Sequence, residues 1–176
     1  APAQLEVLRE LGILLNYNGY GASLTDLYFA PEALYRSLAG FSDPLRWVAQ
    51  AAEFITLREG YAEDMSRVQG LREELNEPGA ALYRLPDAAW ARRVSGVYAN
   101  HLANAAPESA HALLNLMPDG SYRVSVRAPL HRRQGADVLC AAFPSGGGRP
   151  AAAGINALPA GEVDGFIRAF RMAYAG

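Results

Sequence analysis

Residues 143–154 read FPSGGGRPAAAG, in which three consecutive glycines precede an arginine, a proline and three alanines. Glycine loses more conformational freedom on folding than any other residue, so three in a row near the end of a folded chain call for a reason. The run lies between a predicted short helix and a predicted strand, which indicates a loop. Backbone N–H groups of successive glycines can converge on an anion, and Arg149 adds a charged fork at the rim. A flexible surface loop is the alternative.

The sequence around the glycines alternates between strand and helix patterns. Downstream, AAAGINALP predicts a strand and AGEVDGFIRAFRMAYA an amphipathic helix. Upstream, GADVLCAAF predicts a short helix, and SAHALLNLMPDGSYRVSVRA predicts a hairpin around the turn residues Pro-Asp-Gly. Further upstream, AALYRL predicts a strand, and PDAAWARRVSGVYANHLANA predicts a helix capped by Asp87. This order predicts an α/β fold, in which helices pack on a mixed β-sheet.

The first part of the chain has a mainly helical pattern. PEALYRSLAG carries a proline at its start and a glycine at its end, both typical of a helix. A longer helical pattern begins at a cap, Asp43, and keeps its apolar spacing as far as Leu75, with Gly60 and Gly70 as candidate interruptions. The stretch NEPGA then marks a boundary. We therefore expect a mainly helical segment over residues 1–77 and an α/β domain over residues 78–176.

Charge is distributed unevenly between these two parts. All 16 cations are arginines; residues 1–77 hold 6 of them against 12 acids, and residues 78–176 hold 10 against 6. Every cation can therefore bind a phosphate or carboxylate through two hydrogen bonds. The net +4 of the second part indicates contact with an anion, and scattered solvated charge is the alternative.

Composition also limits where the protein works. No apolar run approaches the length of a membrane span and no signal peptide opens the chain, so we expect no membrane contact. One cysteine, Cys140, lies in the apolar stretch DVLCAAF, which predicts a buried thiol and excludes a disulfide framework. A cytoplasmic location is expected. Because the first methionine is Met65, we also expect the chain to be part of a longer protein.

Two motifs carry a resemblance to a known family. SYRVSVRA is followed some twenty residues later by FPSGGGRPAAAGINALP and then by a terminal helix. This arrangement resembles the C-terminal domain associated with the DHH phosphoesterase superfamily, whose pattern is a Ser-x-Arg strand, a short helix, a glycine loop and an Ala-Ala-Gly entry into a strand. The resemblance covers roughly residues 79–175.

The resemblance implies a substrate-binding domain that docks phosphates of nucleotides or nucleic acids against a separate catalytic domain. That upstream DHH domain would bind manganese or magnesium, and no cofactor is expected in this chain. Residues 1–77 would be a linker or the end of the catalytic domain. A homodimer is left open. The residues that match the family's binding motifs are Ser125, Arg127, Gly146, Gly147, Gly148 and Arg149.

The sequence departs from the family pattern after the glycines. The family's usual histidine is replaced by Arg149, which stays protonated and cannot act as an acid or base near neutral pH. GGGRP is closer to the glycine loop of the C-terminal domain in alanyl-tRNA synthetases, a distant relative thought to bind tRNA. That group has further polar residues after the proline, whereas Ala151 follows Pro150 directly here.

Catalytic metal ligands are not recognisable in the sequence. A two-metal phosphoesterase needs clustered Asp and His ligands, and the Asp-His-His triplet is absent. His101 is expected in the core and Asp64 on a solvated helix face. His131, with the two arginines after it, is expected in a solvated loop, an extension of the anion site being the alternative.

Two classes of function follow from these observations. The first is the substrate-binding portion of a DHH-type phosphoesterase that acts on phosphodiesters, nucleotides or short oligonucleotides. The second is a non-catalytic module that binds tRNA or single strands, which would show a steep salt dependence. A degenerate relative that serves protein interaction is a third class.

Overall fold

Residues 2–175 are described by the computed structural model, and they form a six-stranded sheet with helices on both faces. The elements are, in chain order, α1 (Pro2–Tyr17), α2 (Pro31–Ala39), α3 (Pro44–Gln50), α4 (Ala52–Val68), β1 (Glu73–Glu77), β2 (Ala80–Leu85), α5 (Ala89–Ala105), β3 (Ala110–Leu116), β4 (Tyr122–Arg127), α6 (Ala136–Ala141), β5 (Gly146–Arg149), β6 (Ala152–Leu158) and α7 (Val163–Tyr174). This α/β fold, with a mainly helical first part, confirms the predicted fold class. None of the helices in this range is long and apolar enough to cross a membrane.

The first four helices form an apolar cluster around Trp47, which is fully buried. Its indole N–H donates a hydrogen bond of 2.9 Å to the Ser37 hydroxyl, which satisfies the only polar atom of that side chain. The predicted start of α3 is confirmed, because the Asp43 carboxylate accepts a 2.9 Å bond from the Leu45 N–H.

The long helical pattern that begins at Asp43 is broken differently from the prediction. The chain is extended at Ala51 (φ −82°, ψ 124°), so α3 and α4 are separate helices. Gly60 does not interrupt α4; a Cβ there would come within 2.4 Å of the Tyr28 ring, so the glycine makes room for that ring. The helix ends instead near the second candidate interruption, Gly70, because α4 stops at Val68. The helical spacing that continues to Leu75 does not form helix, since Leu75 lies in β1. Pairing with β2 and burial in the sheet core outweigh its local helical spacing.

The strand order of the sheet is β1-β2-β3-β4-β6-β5. Neighbouring strands are antiparallel except β2 and β3, which are parallel because α5 crosses between them. The stretch NEPGA forms the tight turn between β1 and β2, with Gly79 at φ +83°. The strands predicted at β2, β3, β4 and β6 are confirmed, and β1 and β5 are additional.

Helices cover the two faces of the sheet to different extents. On the inner face, α6 and α7 pack over most of the strands, and the largest buried side chains are Phe166, Phe170, Leu82, Leu114 and Ile155. On the outer face, α5 packs mainly over β3 and β4, and its Val94 and Tyr98 belong to one buried cluster with Tyr83, Leu85 and Leu113. Beyond β4, the outer face carries small residues, and there the candidate site lies.

The start of α5 differs from the prediction. Ala88 occupies the cap position and has no side chain that could accept a hydrogen bond, so Asp87 does not cap this helix. The Asp87 carboxylate instead accepts a hydrogen bond from the Arg92 guanidinium. The prediction for Cys140 is confirmed: it is fully buried, and burial raises the pKa of its thiol to about 12.

Candidate functional site

Strand pairing places the two arginines of the predicted site on one face of the sheet. Arg127 of β4 lies opposite Ala152 of β6, and Ala152 lies opposite Arg149 of β5. Residues directly opposite one another on neighbouring strands project to the same face. Because Val126 next to Arg127 belongs to the inner core, this face is the outer one. Arg127 and Arg149 therefore flank Ala152 on this face.

A row of small residues lies beside the row formed by Arg127, Ala152 and Arg149, two positions away along each strand. Ser125 pairs with Gly154, and Gly154 pairs with Gly147. This row contributes one hydroxyl group and otherwise bare backbone. Gly154 is required by packing, since a Cβ there would approach the Val124 carbonyl oxygen within 2.5 Å. The result is a flat area of the sheet surface, here called the floor, which consists of small residues and has Arg127 and Arg149 along one side.

The glycine run is an edge strand, so the prediction of a loop is wrong. Residues 146–149 form β5, which pairs with β6 because both strands have small residues that let their backbones approach. Gly146 faces α6, where a Cβ would overlap the Cys140 carbonyl oxygen at 1.8 Å. Gly148 has φ +146° and would place a Cβ 2.5 Å from Ala153.

Gly147 differs from its two neighbours. A Cβ there would meet no heavy atom within 4 Å, and its φ does not lie in the left-handed region. The fold therefore requires glycine at two of the three positions, but not at the one that is exposed on the site face. A ligand that lies against the backbone is a reason for glycine at this position.

Arg127 is only partly exposed and lacks a carboxylate partner among residues 2–175. Its Nε donates a 2.9 Å bond to the Asn100 Oδ1 atom, and its Nη1 donates to the neighbouring Val126 carbonyl oxygen at 3.1 Å. Burial lowers the pKa of the Arg127 guanidinium, and the charge of Arg149 lowers it further, against an opposing contribution from Tyr20. An anion bound between Arg127 and Arg149 would compensate both effects.

The segment between α1 and α2 forms one wall of the site. The Gly21 carbonyl oxygen accepts a 3.2 Å bond from Arg123, which lies on the same face of β4 as Arg127. The Tyr20 ring fits against Gly96 of α5, where any Cβ would come within 2.2 Å of the ring. This wall is anchored by Asp26, whose carboxylate binds the Arg92 guanidinium through two 2.8 Å bonds.

A cavity of about 340 Å³ opens beside Arg127, and it also contains Asn100, Asn104 and Arg133. Arg133 is exposed in the loop after β4, as the sequence predicts, and it also adds a cation to this cavity. His131 does not, because its Nδ1 atom lies 3.0 Å from a Glu108 carboxylate oxygen.

Two predictions for single residues are wrong. His101 is exposed on α5, with its ring nearly parallel to that of Tyr98, and does not lie in the core. Asp64 is 1% exposed, not solvated, and it binds Arg93 at 2.8 Å and the Tyr17 hydroxyl group. A signal for this buried pair was available: Asp64 lies three residues after Tyr61 and four before Val68, on the helix face that the apolar spacing marks as buried.

Metal ligands are not grouped in the described part of the chain, where no three His, Cys, Asp or Glu residues could hold an ion together. The manganese or magnesium that the resemblance assigns to a separate DHH domain has no candidate ligand group among these described residues. The arrangement of Arg127, Arg149, Ser125 and bare backbone is suited to holding an anion.

The fold recurs in solved structures. RecJ from Thermus thermophilus in complex with Mg²⁺ aligns over 81% of this chain and 22% of its own, with a TM-score of 0.59 and 20% identity. The pGpG-specific phosphodiesterase PggH from Vibrio cholerae aligns over 81% of this chain and 50% of its own length, with a TM-score of 0.55 and 13% identity. The DHH domain of a member of the s1p family of ribosomal proteins aligns over 82% of this chain and 38% of its own length, with a TM-score of 0.54 and 15% identity.

These similarities establish a shared fold. The chain spans half or less of the length of each of these three proteins. No protein-family model matches the sequence, and no curated protein matches it.

Proposed function

We propose that this chain is the substrate-binding portion of a DHH-type phosphoesterase that acts on nucleotides, phosphodiesters or short oligonucleotides. The observation that carries the proposal is the pair Arg127 and Arg149, which flank Ala152 on an open face without a carboxylate between them. Guanidinium groups bind phosphate through two hydrogen bonds each.

Each residue of the face has a role in this proposal. Arg127, oriented by Asn100, and Arg149 bind the phosphate oxygens from two sides. The Ser125 hydroxyl group donates a further hydrogen bond from the floor. Gly147 lets the ligand approach the backbone of β5, while Gly146 and Gly148 keep that strand in place.

The chemical step is assigned to another domain. Arginine stays protonated, so neither Arg127 nor Arg149 can move a proton. Manganese or magnesium ions bound by a DHH domain would supply an activated water and stabilise charge on the phosphate. The fold similarity supports this assignment, because one similar structure is RecJ in complex with Mg²⁺ and another is a phosphodiesterase specific for pGpG.

A second candidate function is a non-catalytic module that binds tRNA or single strands, as proposed for the C-terminal domain of alanyl-tRNA synthetases. One specific observation favours it: Arg149 stands where the DHH-associated pattern has a histidine, which removes the group that could move a proton. In that case the same face would bind the nucleic-acid backbone, and no DHH catalytic domain would be needed.

Calorimetric titration with 5′-AMP tests the proposed site. We expect Arg127→Ala and Arg149→Ala each to weaken binding at least about tenfold, because charge-assisted hydrogen bonds are lost. Arg46→Ala is the matched control, since Arg46 is exposed on α3, away from this face. If both site variants bind 5′-AMP as tightly as the parent chain does, the phosphate site lies elsewhere. Fusion to a DHH domain then separates the two candidate functions by whether a phosphodiester is cleaved.

A further inference from the structure

A large polar cavity lies between α1, α4 and α5, and the predicted site residues do not reach it. Its volume is about 720 Å³, within the range of cavities that hold small-molecule ligands. Its polar lining consists of Arg9, Asn16, Tyr61, Asn100, His101 and Asn104. We propose that this cavity binds the nucleoside attached to the phosphate held by Arg127, so that the ligand is a nucleotide or a longer nucleic-acid strand. This inference rests on the proposed function.

The chemistry of the lining fits a base and a sugar better than a phosphate. Three of the polar groups are asparagine amides, which both donate and accept hydrogen bonds, as the edges of nucleobases and the hydroxyl groups of ribose do. The His101 ring is held within 15° of parallel to the Tyr98 ring, which orients a flat surface at the cavity. Bases stack on such rings irrespective of their sequence.

Arg9 can hold the following phosphate. Its nearest carboxylate partner is Glu6 at 3.7 Å, and both side chains are more than 70% exposed. An exposed ion pair of this length contributes little, so the Arg9 guanidinium is available to a ligand. The cavity thus contains a cation, Arg9, as expected for a nucleic-acid ligand with phosphates on both sides of a nucleoside.

Gly12 is an independent sign that something occupies the cavity. It lies in the interior of α1, where glycine is less favourable than alanine by about 1 kcal/mol. A Cβ at Gly12 would meet no heavy atom within 4 Å, so packing within the described chain does not require glycine there. Gly12 lines the cavity, and a larger residue would fill the space that the nucleoside needs.

The cavity adjoins the phosphate site through α5. Asn100 and Asn104 line both this cavity and the smaller one beside Arg127. The Asn100 Oδ1 atom also accepts the 2.9 Å bond from the Arg127 Nε atom. One turn of α5, from Asn100 to Asn104, is therefore shared by the cationic subsite and the amide-lined one, which places them close enough for a phosphate and the nucleoside attached to it.

The test compares inorganic phosphate with 5′-AMP in calorimetric titrations of the 176-residue chain. We expect the parent chain to bind 5′-AMP about 5- to 150-fold more tightly than inorganic phosphate, the gain of stacking one base. Gly12→Phe should abolish this gain, leave the binding of inorganic phosphate unchanged and keep the melting temperature. Asn16→Ala, which removes one amide from the cavity, should reduce the gain in part.

Gly161→Phe is the matched control, because a Cβ at Gly161 also meets no heavy atom within 4 Å, in a turn remote from the cavity. It should bind both ligands as the parent chain does. Equal binding of inorganic phosphate and 5′-AMP by the parent chain, or full 5′-AMP affinity in Gly12→Phe, would overturn the nucleoside subsite while the phosphate site at Arg127 stands. If the parent chain binds neither ligand, the phosphate site and the subsite both fail.

Discussion

Arg127 and Arg149 are held on the same face of the sheet with only the methyl group of Ala152 between them. Two strand spacings separate their backbones by roughly 10 Å, a distance that two arginine side chains can bridge through one phosphate. Burial and the second cation both lower the pKa of Arg127, which shows that the fold does not neutralise this pair itself. The pair is therefore the strongest evidence for an anion ligand.

A double-mutant cycle tests whether the two arginines share one phosphate. Arg127→Ala and Arg149→Ala should each weaken 5′-AMP binding by about 10- to 150-fold, and the double variant should lose less than the product of the two. The reason is that the second guanidinium group cannot position the phosphate well alone. Titrations at two salt concentrations provide the measurement. Losses that multiply would indicate two independent anion sites.

Gly147→Val should fold normally and bind 5′-AMP poorly. The valine side chain enters open space above the floor, where it blocks the approach of the ligand. Thermal melting and titration measure the two effects, and Gly161→Val is the control for an exposed glycine without close neighbours. Unimpaired 5′-AMP binding by a folded Gly147→Val would indicate that the outer face of β5 is only a surface.

Gly146→Ala, unlike Gly147→Val, should destabilise the fold. Its Cβ would lie 1.8 Å from the Cys140 carbonyl oxygen, so we expect the free energy of unfolding to fall. Overpacking of this kind costs about 1–3 kcal/mol or more. Urea denaturation measures the loss, and an unchanged midpoint would contradict the close packing of β5 against α6.

Asp64→Ala should lower the free energy of unfolding by about 3–5 kcal/mol, because it leaves the Arg93 guanidinium without its buried partner. Asp64 is 1% exposed and joins α4 to α5 through this pair. Urea denaturation measures the loss. Glu32→Ala removes the exposed pair with Arg36 and should cost at most about 1 kcal/mol. A similar small loss in Asp64→Ala would show that the buried pair does not stabilise the fold.

Stability should depend on pH through Asp26. Its hydrogen bonds to the Arg92 guanidinium lower the pKa of the Asp26 carboxyl group from 3.8 to about 2. The stabilisation by the ionised group is therefore complete above the unfolded value and is lost as the pH falls towards about 2. The advantage of the parent chain over Asp26→Asn should shrink by on the order of 2 kcal/mol between about pH 5 and about pH 2. Urea titrations at both values measure it, and a constant advantage would contradict the assignment.

The regular elements that contribute most to the core could be predicted from local patterns. The hairpin of β3 and β4 follows from alternation around a Pro-Asp-Gly turn, and α7 from its apolar spacing. The spacing alone could not end the helical pattern before Leu75, because the residues of β1 become strand only by pairing with β2.

The candidate site was predictable as a set of residues but not as an arrangement. Ser125, Arg127 and Arg149 could be selected from motifs, whereas the orienting amide of Asn100 carries no sequence signal. The glycine run could not be identified as a strand, since glycine has low strand propensity and only close packing against β6 and α6 makes it regular.

By itself, the sequence determined which residues can be buried, where the chain turns and which cations are available, because these depend on side-chain chemistry and short-range periodicity. The tertiary structure decided which cations are neutralised and which are not. Arg92 and Arg93 find buried carboxylates far away in the sequence, in Asp26 and Asp64, whereas strand register leaves Arg127 facing Arg149. Charge pairing between distant segments depends on distances in space, and these are set only when the sheet and α5 have packed together.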